Sequence, residues 1–196
     1  MKELTFYYGA MGSGKTSELL KSRHGKVEDG FSVVVMKPYV DKKGGSYIVA
    51  RDESKVKVDF LIKEKDNIYI EISKYLVNNN LDYVLVDEAQ FLSKKHIDQL
   101  SDIVDILGIN VICYGLKIDF LGELFEGTKR LFEVSDNIKE IKRQCSCGRK
   151  KMYNMRIVGG KPIFLGEQVA IDGVDAEYKA MCRCCYKNVL RNQEKD

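Results

Sequence analysis

The chain has 196 residues, 44% hydrophobic and 31% charged, with a formal net charge of +3. That suffices for one compact α/β domain and a small appendage but not for two full domains, and the mixed charges describe an ordinary soluble surface rather than a disordered chain. So small a net charge argues against a DNA-wrapping or membrane-surface protein, and no run reaches the roughly 18 apolar residues of a membrane span.

Residues 1–8 are too short for a signal-peptide core before a glycine loop begins, which predicts a cytoplasmic protein. Beyond them, short β-rich runs alternate with helical patterns, the signature of a mostly parallel sheet flanked by helices. Leu4-Thr5-Phe6-Tyr7-Tyr8, Ser32-Val33-Val34-Val35-Met36, Tyr83-Val84-Leu85-Val86 and Asn110-Val111-Ile112-Cys113-Tyr114 read as strands buried on both faces. One helix should start inside the glycine loop and run toward Gly30, with Gly25 in its interior. Ile68, Ile72, Tyr75 and Leu76 mark a second, ending near Asn78-Asn79-Asn80. Ile97, Leu100, Ile103, Val104 and Leu107 mark a third, between a Ser93 N-cap and a Gly108 stop. His24 and His96 fall at helical positions and carry no functional reading. From Gln144 onward cysteines, glycines and short extended pieces replace long helices until the final residues, and the polar segment 191–196 reads as a mobile tail.

Gly9-Ala10-Met11-Gly12-Ser13-Gly14-Lys15-Thr16 fits the G-x-x-x-x-G-K-[ST] phosphate loop and lies directly after a strand, at the onset of a helix. Its glycines permit the turn that aims backbone N–H groups at the β-phosphate of ATP. Lys15 reaches the β- and γ-phosphates, and Thr16 supplies a Mg²⁺ ligand. Asp87 and Glu88 close the apolar strand Val84-Leu85-Val86, where open α/β sheets bind ligands. Asp87 is the expected Mg²⁺-side acid, and Glu88, pointing another way, is free to meet a nucleophile. Asp87-Glu88-Ala89-Gln90 also resembles the acidic box of helicases, but the chain is too short for a two-lobed motor.

Together with Asp87-Glu88-Ala89-Gln90-Phe91, Tyr114-Gly115-Leu116-x-x-Asp119-Phe120 and the late cysteine pairs, the glycine loop gives four motifs in one order. On these the chain, from Leu4 to Tyr186, resembles the zinc-bearing thymidine kinase family of cells and bacteria. The resemblance implies transfer of the γ-phosphate of ATP to the 5′-hydroxyl of thymidine, and of deoxyuridine as well, giving dTMP and ADP for DNA precursor salvage. It implies that Glu88 acts on the substrate hydroxyl and that Gln90 belongs with the ATP and Mg²⁺ residues. Phe120 would stack on the pyrimidine, Met11, Leu116 and Tyr178 would wall the 5-methyl group, and main-chain groups of Val169-Ala170-Ile171-Asp172-Gly173 would hold the base edge. Where many members carry Asp-x-Arg this chain reads Asp41-Lys42-Lys43, so Lys43 becomes the phosphate-side cation, with Arg51 sharing the task. Asn154 stands where many members have Thr. A homotetramer and feedback inhibition by dTTP are further expectations of the resemblance.

Without an export signal, the six cysteines are expected as reduced thiols or metal ligands, not disulfides. Cys145-x-Cys147 and Cys182-x-x-Cys185 offer four thiolates, the number a closed structural Zn²⁺ site needs, with Cys184 a competitor for the fourth place. Cys145 and Cys147 can converge only if the chain turns around Ser146 and Gly148. A zinc ribbon can also bind nucleic acid, but the basic segment 139–151 has acidic and apolar neighbours and reads as a solvated face. The resulting expectation is a P-loop α/β nucleotide-binding domain over 1–143 and a zinc-held subdomain over 144–190 that covers the nucleoside.

Overall fold

Strands that are apolar on both faces need cover on both sides, and the order of elements supplies it. The computed structural model describes residues 1–166, 168 and 176–193. β1 (Leu4–Gly9) leads through the glycine loop into α1 (Lys15–Glu28), then β2 (Val33–Pro38), a hairpin of β3 (Tyr47–Val49) and β4 (Lys55–Lys57), β5 (Phe60–Ile62), α2 (Ile68–Leu76) and β6 (Tyr83–Val86). A 3-10 turn (Ala89–Phe91) precedes α3 (Lys94–Asp105), β7 (Asn110–Leu116), α4 (Glu126–Val134) and β8 (Asn137–Glu140). β9 (Tyr153–Val158), β10 (Lys161–Ile163), β11 (Ala176–Met181) and α5 (Arg183–Gln193) follow.

Six strands form one sheet in the order β5-β2-β6-β7-β1-β8, and all five pairings are parallel. Alternate residues face opposite layers. Phe6, Met36, Val86 and Val111 pack with Ile72 of α2, Ile97 and Leu100 of α3 and Leu131 of α4. Val35, Leu85 and Tyr114 pack with Leu19 of α1 and Ile48 of β3. The four strands read from sequence are β1, β2, β6 and β7 at the sheet centre, and the edges β5 and β8 are too short for a pattern of their own. Register sets Gly9 beside Leu116 and Val86 beside Cys113, so the glycine loop, Asp87 and the segment after β7 all leave the same edge.

The helix signals resolve into specific caps. Ser93 Oγ accepts the His96 N–H at 3.3 Å and starts α3, whose Ile97, Leu100, Ile103 and Val104 are buried. Asn67 Oδ1 accepts the Ile70 N–H at 3.1 Å and starts α2, which stops at Leu76. His96 is buried with Nε2 3.1 Å from the Asp66 carbonyl, and His24 is an exposed neighbour of Glu28 on α1.

After β8 a small antiparallel sheet, β10-β9-β11, packs with α5 around Met155, Met181 and Tyr186. Tyr186 stacks on Tyr153 at 4.5 Å and donates its hydroxyl to the Phe120 carbonyl at 2.8 Å, which fastens this unit to the loop after β7. Residues 191–193, read from sequence as part of a tail, are the last turn of α5, and 194–196 lie outside the described residues.

Gly127, in the first turn of α4, lies against the 3-10 turn so closely that a Cβ there would sit 2.5 Å from the Leu92 carbonyl oxygen and 2.7 Å from that of Ala89. Backbone on both sides leaves little room to give. Gly127→Ala should therefore lower the unfolding free energy by about 1–3 kcal/mol in urea titration, whereas the same change at Gly25, where nothing lies within 4 Å, should not destabilise.

Candidate active site

The glycine loop turns between β1 and α1 with Gly12 at φ +68° and Gly14 at φ +98°. At Gly12 the positive φ favours glycine, and a Cβ there would also displace the Arg51 guanidinium, whose Nη2 would lie 2.6 Å away. Lys15 is buried and reaches back to the Ala10 carbonyl at 3.1 Å. Burial pushes its pKa below that of an ordinary lysine, against the pull of the Glu88 and Asp87 carboxylates.

Asp87 leaves β6 buried, its Oδ1 accepting the Glu88 N–H at 3.0 Å. Burial first, and then the Glu88 charge, push its carboxyl up to about 7. A carboxylate so short of positive charge fits a divalent cation. Glu88 itself adopts left-handed backbone, φ 48° and ψ 36°, and lines the cavity at the glycine loop. Gln90 holds it there, donating from Nε2 to Glu88 Oε2 at 2.5 Å while its Oε1 accepts the Leu116 N–H at 2.9 Å.

Two cavities adjoin at this edge. The larger, about 420 Å³, is lined by Met11, Gly12, Gly14, Lys15 and Thr16 of the loop together with Lys43, Arg51, Glu88 and Gln90. The smaller, about 230 Å³, is lined by Met11, Leu116, Phe120, Asn154 and Tyr178. Met11, Asp41, Phe91 and Leu116 belong to both. The sequence-derived phosphate residues and pyrimidine residues thus gather on two sides of one wall. Gly9, Ala10 and Ser13 shape the loop and Asp87 lies beneath, but none of the four lines a cavity. Val169, Ala170, Ile171, Asp172 and Gly173 lie outside the described residues.

Several lining residues carried no assignment in the sequence. Asp41 and Phe91 were visible only as neighbours of Lys43 and Gln90, and Asp119 as part of the motif with Phe120. Asp119 Oδ1 accepts the Leu121 and Glu123 N–H groups, which fixes the turn that presents Phe120, and Oδ2 accepts Gln168 Nε2 at 2.9 Å. Asn154 accepts the Met11 N–H at 2.8 Å and donates to the Ile118 carbonyl at 3.1 Å. Arg143 Nη1 donates to the Gly12 carbonyl at 3.0 Å, a contact that no local pattern announces.

Cys145, Cys147, Cys182 and Cys185 bring their sulfurs within 4.8 Å of one another. The chain turns as the tight first pair requires, Gly148 N–H donating to the Cys145 carbonyl at 2.9 Å. Sulfur separations of 3.4 Å (Cys147 to Cys182) and 4.0 Å (Cys145 to Cys185) bracket the roughly 3.8 Å edge of a tetrahedron with metal–sulfur bonds of about 2.3 Å. Backbone N–H groups of Cys147 and Cys182 lower the Cys145 thiol to about 6, while hydrogen bonds with Cys147 and Cys182 raise Cys185 to about 12. Four thiolates cannot coexist here without a cation, and the geometry fits one such as zinc. Cys184 is exposed and outside this group. Of the neighbouring cations, Lys150 pairs with Glu140 at 2.8 Å and Lys139 lies over the Tyr7 ring at 5.3 Å. Among the described residues no helix is long and apolar enough to cross a membrane.

A family model described as thymidine kinase matches residues 2–186. The thymidine kinase of Haemophilus influenzae strain 86-028NP is 41% identical over 191 residues, 95% of this chain and 97% of its own. That of Vibrio vulnificus is 41% identical over 194 residues, covering 97% and 99%, and that of Francisella tularensis 34% over 195 residues, covering 95% and 98%. A Bacteroides Pif1 structure bound to single-stranded DNA aligns with 71% of this chain and 38% of its own at 14% identity and a TM-score of 0.41, too low to carry an argument. With matches running nearly end to end, the chain belongs to the thymidine kinase family.

Proposed function

We propose that this chain is a thymidine kinase that moves the γ-phosphate of ATP to the 5′-hydroxyl of thymidine, or of deoxyuridine, yielding dTMP and ADP. The observation that carries the reading is the shared wall: a cationic cavity at the glycine loop and an apolar, aromatic one meet at Met11 and Leu116, with Glu88 in the lining of the former. In this reading the triphosphate lies along the loop amides, Lys15, Lys43 and Arg51, and the pyrimidine lies against Phe120, Met11, Leu116 and Tyr178. Main-chain groups of 169–173 hold the base edge. The 5′-hydroxyl then points across the wall toward Glu88.

Phosphoryl transfer has a loose transition state, so alignment and charge stabilisation do most of the work. Lys15, with Lys43 and Arg51, spreads over the phosphate oxygens; Lys43 does so as a point charge where an arginine would offer a planar fork. Asp87 and Thr16 would hold Mg²⁺, which would supply charge neutralisation for the phosphates. Glu88, steadied by Gln90, orients the hydroxyl and takes its proton late. Residues 1–143 form the nucleotide-binding unit and 144–190 the nucleoside-covering unit, held by a structural Zn²⁺ on Cys145, Cys147, Cys182 and Cys185. A cytoplasmic homotetramer inhibited by dTTP completes the proposal, supported by family membership alone.

A panel of nucleosides with Mg-ATP tests it. Thymidine is turned over, and deoxyuridine too, with a loss of at most about 10–200-fold, the worth of one methyl group in an apolar pocket. Efficient phosphorylation of deoxycytidine or deoxyadenosine, or ADP release that answers to polynucleotide instead of thymidine, would overturn it.

Glu88→Gln should lower turnover by about 10²–10⁴ while ATP still binds. Single-turnover phosphorylation at the parental rate would remove Glu88 from the role of base.

Metal removal by a chelator should speed hydrogen exchange in β11 and α5 before it affects β6 and β7, because the four sulfurs tie residues 145–147 to 182–185. Equal protection with and without metal would show that the cysteines do not fasten this unit.

A further inference from the structure

The phosphate loop is gripped at two consecutive residues by side chains that follow β8 in the chain. Asn154, on β9, accepts the Met11 N–H, and Arg143, two residues before the first cysteine of the cluster, donates to the Gly12 carbonyl. The second contact is the informative one. A trans peptide is planar, so a Gly12 carbonyl turned toward Arg143 directs the Ser13 N–H the opposite way. There it closes on the Ala10 carbonyl at 3.2 Å, the same oxygen that receives Lys15 Nζ at 3.1 Å. Arg143, the Gly12–Ser13 peptide, Ala10 and Lys15 are therefore links of one chain of hydrogen bonds.

Arg143 is itself anchored. Its carbonyl accepts the Lys151 N–H at 2.8 Å, and Cys145 N–H donates to the Arg149 carbonyl at 2.7 Å, so the segment entering the cysteine turn is paired with the segment leaving it. The guanidinium projects from this base over the rim of the 420 Å³ cavity, in company with Lys15, Lys43 and Arg51. Only Nη1 is engaged with Gly12, and a guanidinium has five N–H donors.

We propose that Arg143 is a positioning residue for the donor nucleotide: it locks the Gly12 peptide so that the loop is set for the phosphates, and it brings a planar cation to the rim that Lys43 serves only as a point charge. The inference rests on reading the larger cavity as the triphosphate site. It also gives the cysteine unit a second office, since the turn that carries Arg143 is closed by the segment that holds the first two thiols.

Arg143→Met and Arg143→Lys in the full-length protein test it, by calorimetric titration with MgADP and by steady-state KM for ATP and for thymidine. Arg143→Met is expected to weaken MgADP binding by about 10–100-fold, as when one charge-assisted hydrogen bond is lost, and to raise the ATP KM in step while the thymidine KM stays at the parental value. Arg143→Lys is expected to recover part of the loss, because charge returns without the fork. Parental MgADP affinity in Arg143→Met would overturn the proposal, as would a parallel rise in both KM values with a lowered melting temperature, the mark of a general structural role. The MgADP titration needs no turnover, so a parent protein that binds MgADP but leaves thymidine untouched would sink the nucleoside reading and leave Arg143 to be judged on nucleotide affinity alone.

Discussion

Two carboxylates adjacent in sequence have to serve different neighbours, and the backbone at Glu88 is what separates them. Left-handed φ and ψ at a glutamate cost on the order of 1–3 kcal/mol, a strain that persists only where the surroundings over-determine it. Here they do so in layers. Gln90 ties the Glu88 carboxylate to the end of β7, and Gly127 lets α4 press against the turn that follows. Asp87 stays buried, its carboxyl raised by that burial and by the Glu88 charge. Were Glu88 to relax into extended backbone, its carboxylate would leave the lining of the larger cavity and the site would lose its asymmetry.

The sheet explains why this happens at one edge. In a wholly parallel sheet every strand ends at the same side, and the loops that follow β1, β6 and β7 must gather there. The glycine loop, the acidic pair and the aromatic segment after β7 are far apart in the chain but neighbours in register. The small antiparallel unit then closes over them, held by Tyr186 on Phe120 and by Asn154 on Met11. Neither unit completes the smaller cavity alone: Asn154 and Tyr178 come from one, Met11 and Leu116 from the other.

What could be read from the residues follows a physical rule. Signals written in a short stretch were legible: the phosphate loop, the run from Val84 to Glu88, the Ser93 cap and the apolar period of α3, and the two cysteine pairs with the turn their spacing demands. Each depends on neighbours within a few positions. The edge strands β5 and β8 were not legible, because three or four residues carry no period and their pairing partner is remote. Arg143 sat in a basic run that reads as solvent-facing, and its partner is 131 residues away. Asn154 showed as a departure at a pocket position, but its two hydrogen bonds, to Met11 and Ile118, belong to tertiary structure.

Those two bonds make position 154 a junction. One face of the side chain borders the smaller cavity, while its amide serves as a crossbeam for the Ala10–Met11 peptide of the phosphate loop. A hydroxyl residue would offer one oxygen where the amide offers a separate acceptor and donor. A substitution here therefore acts on a cavity wall and on a phosphate-loop peptide at the same stroke.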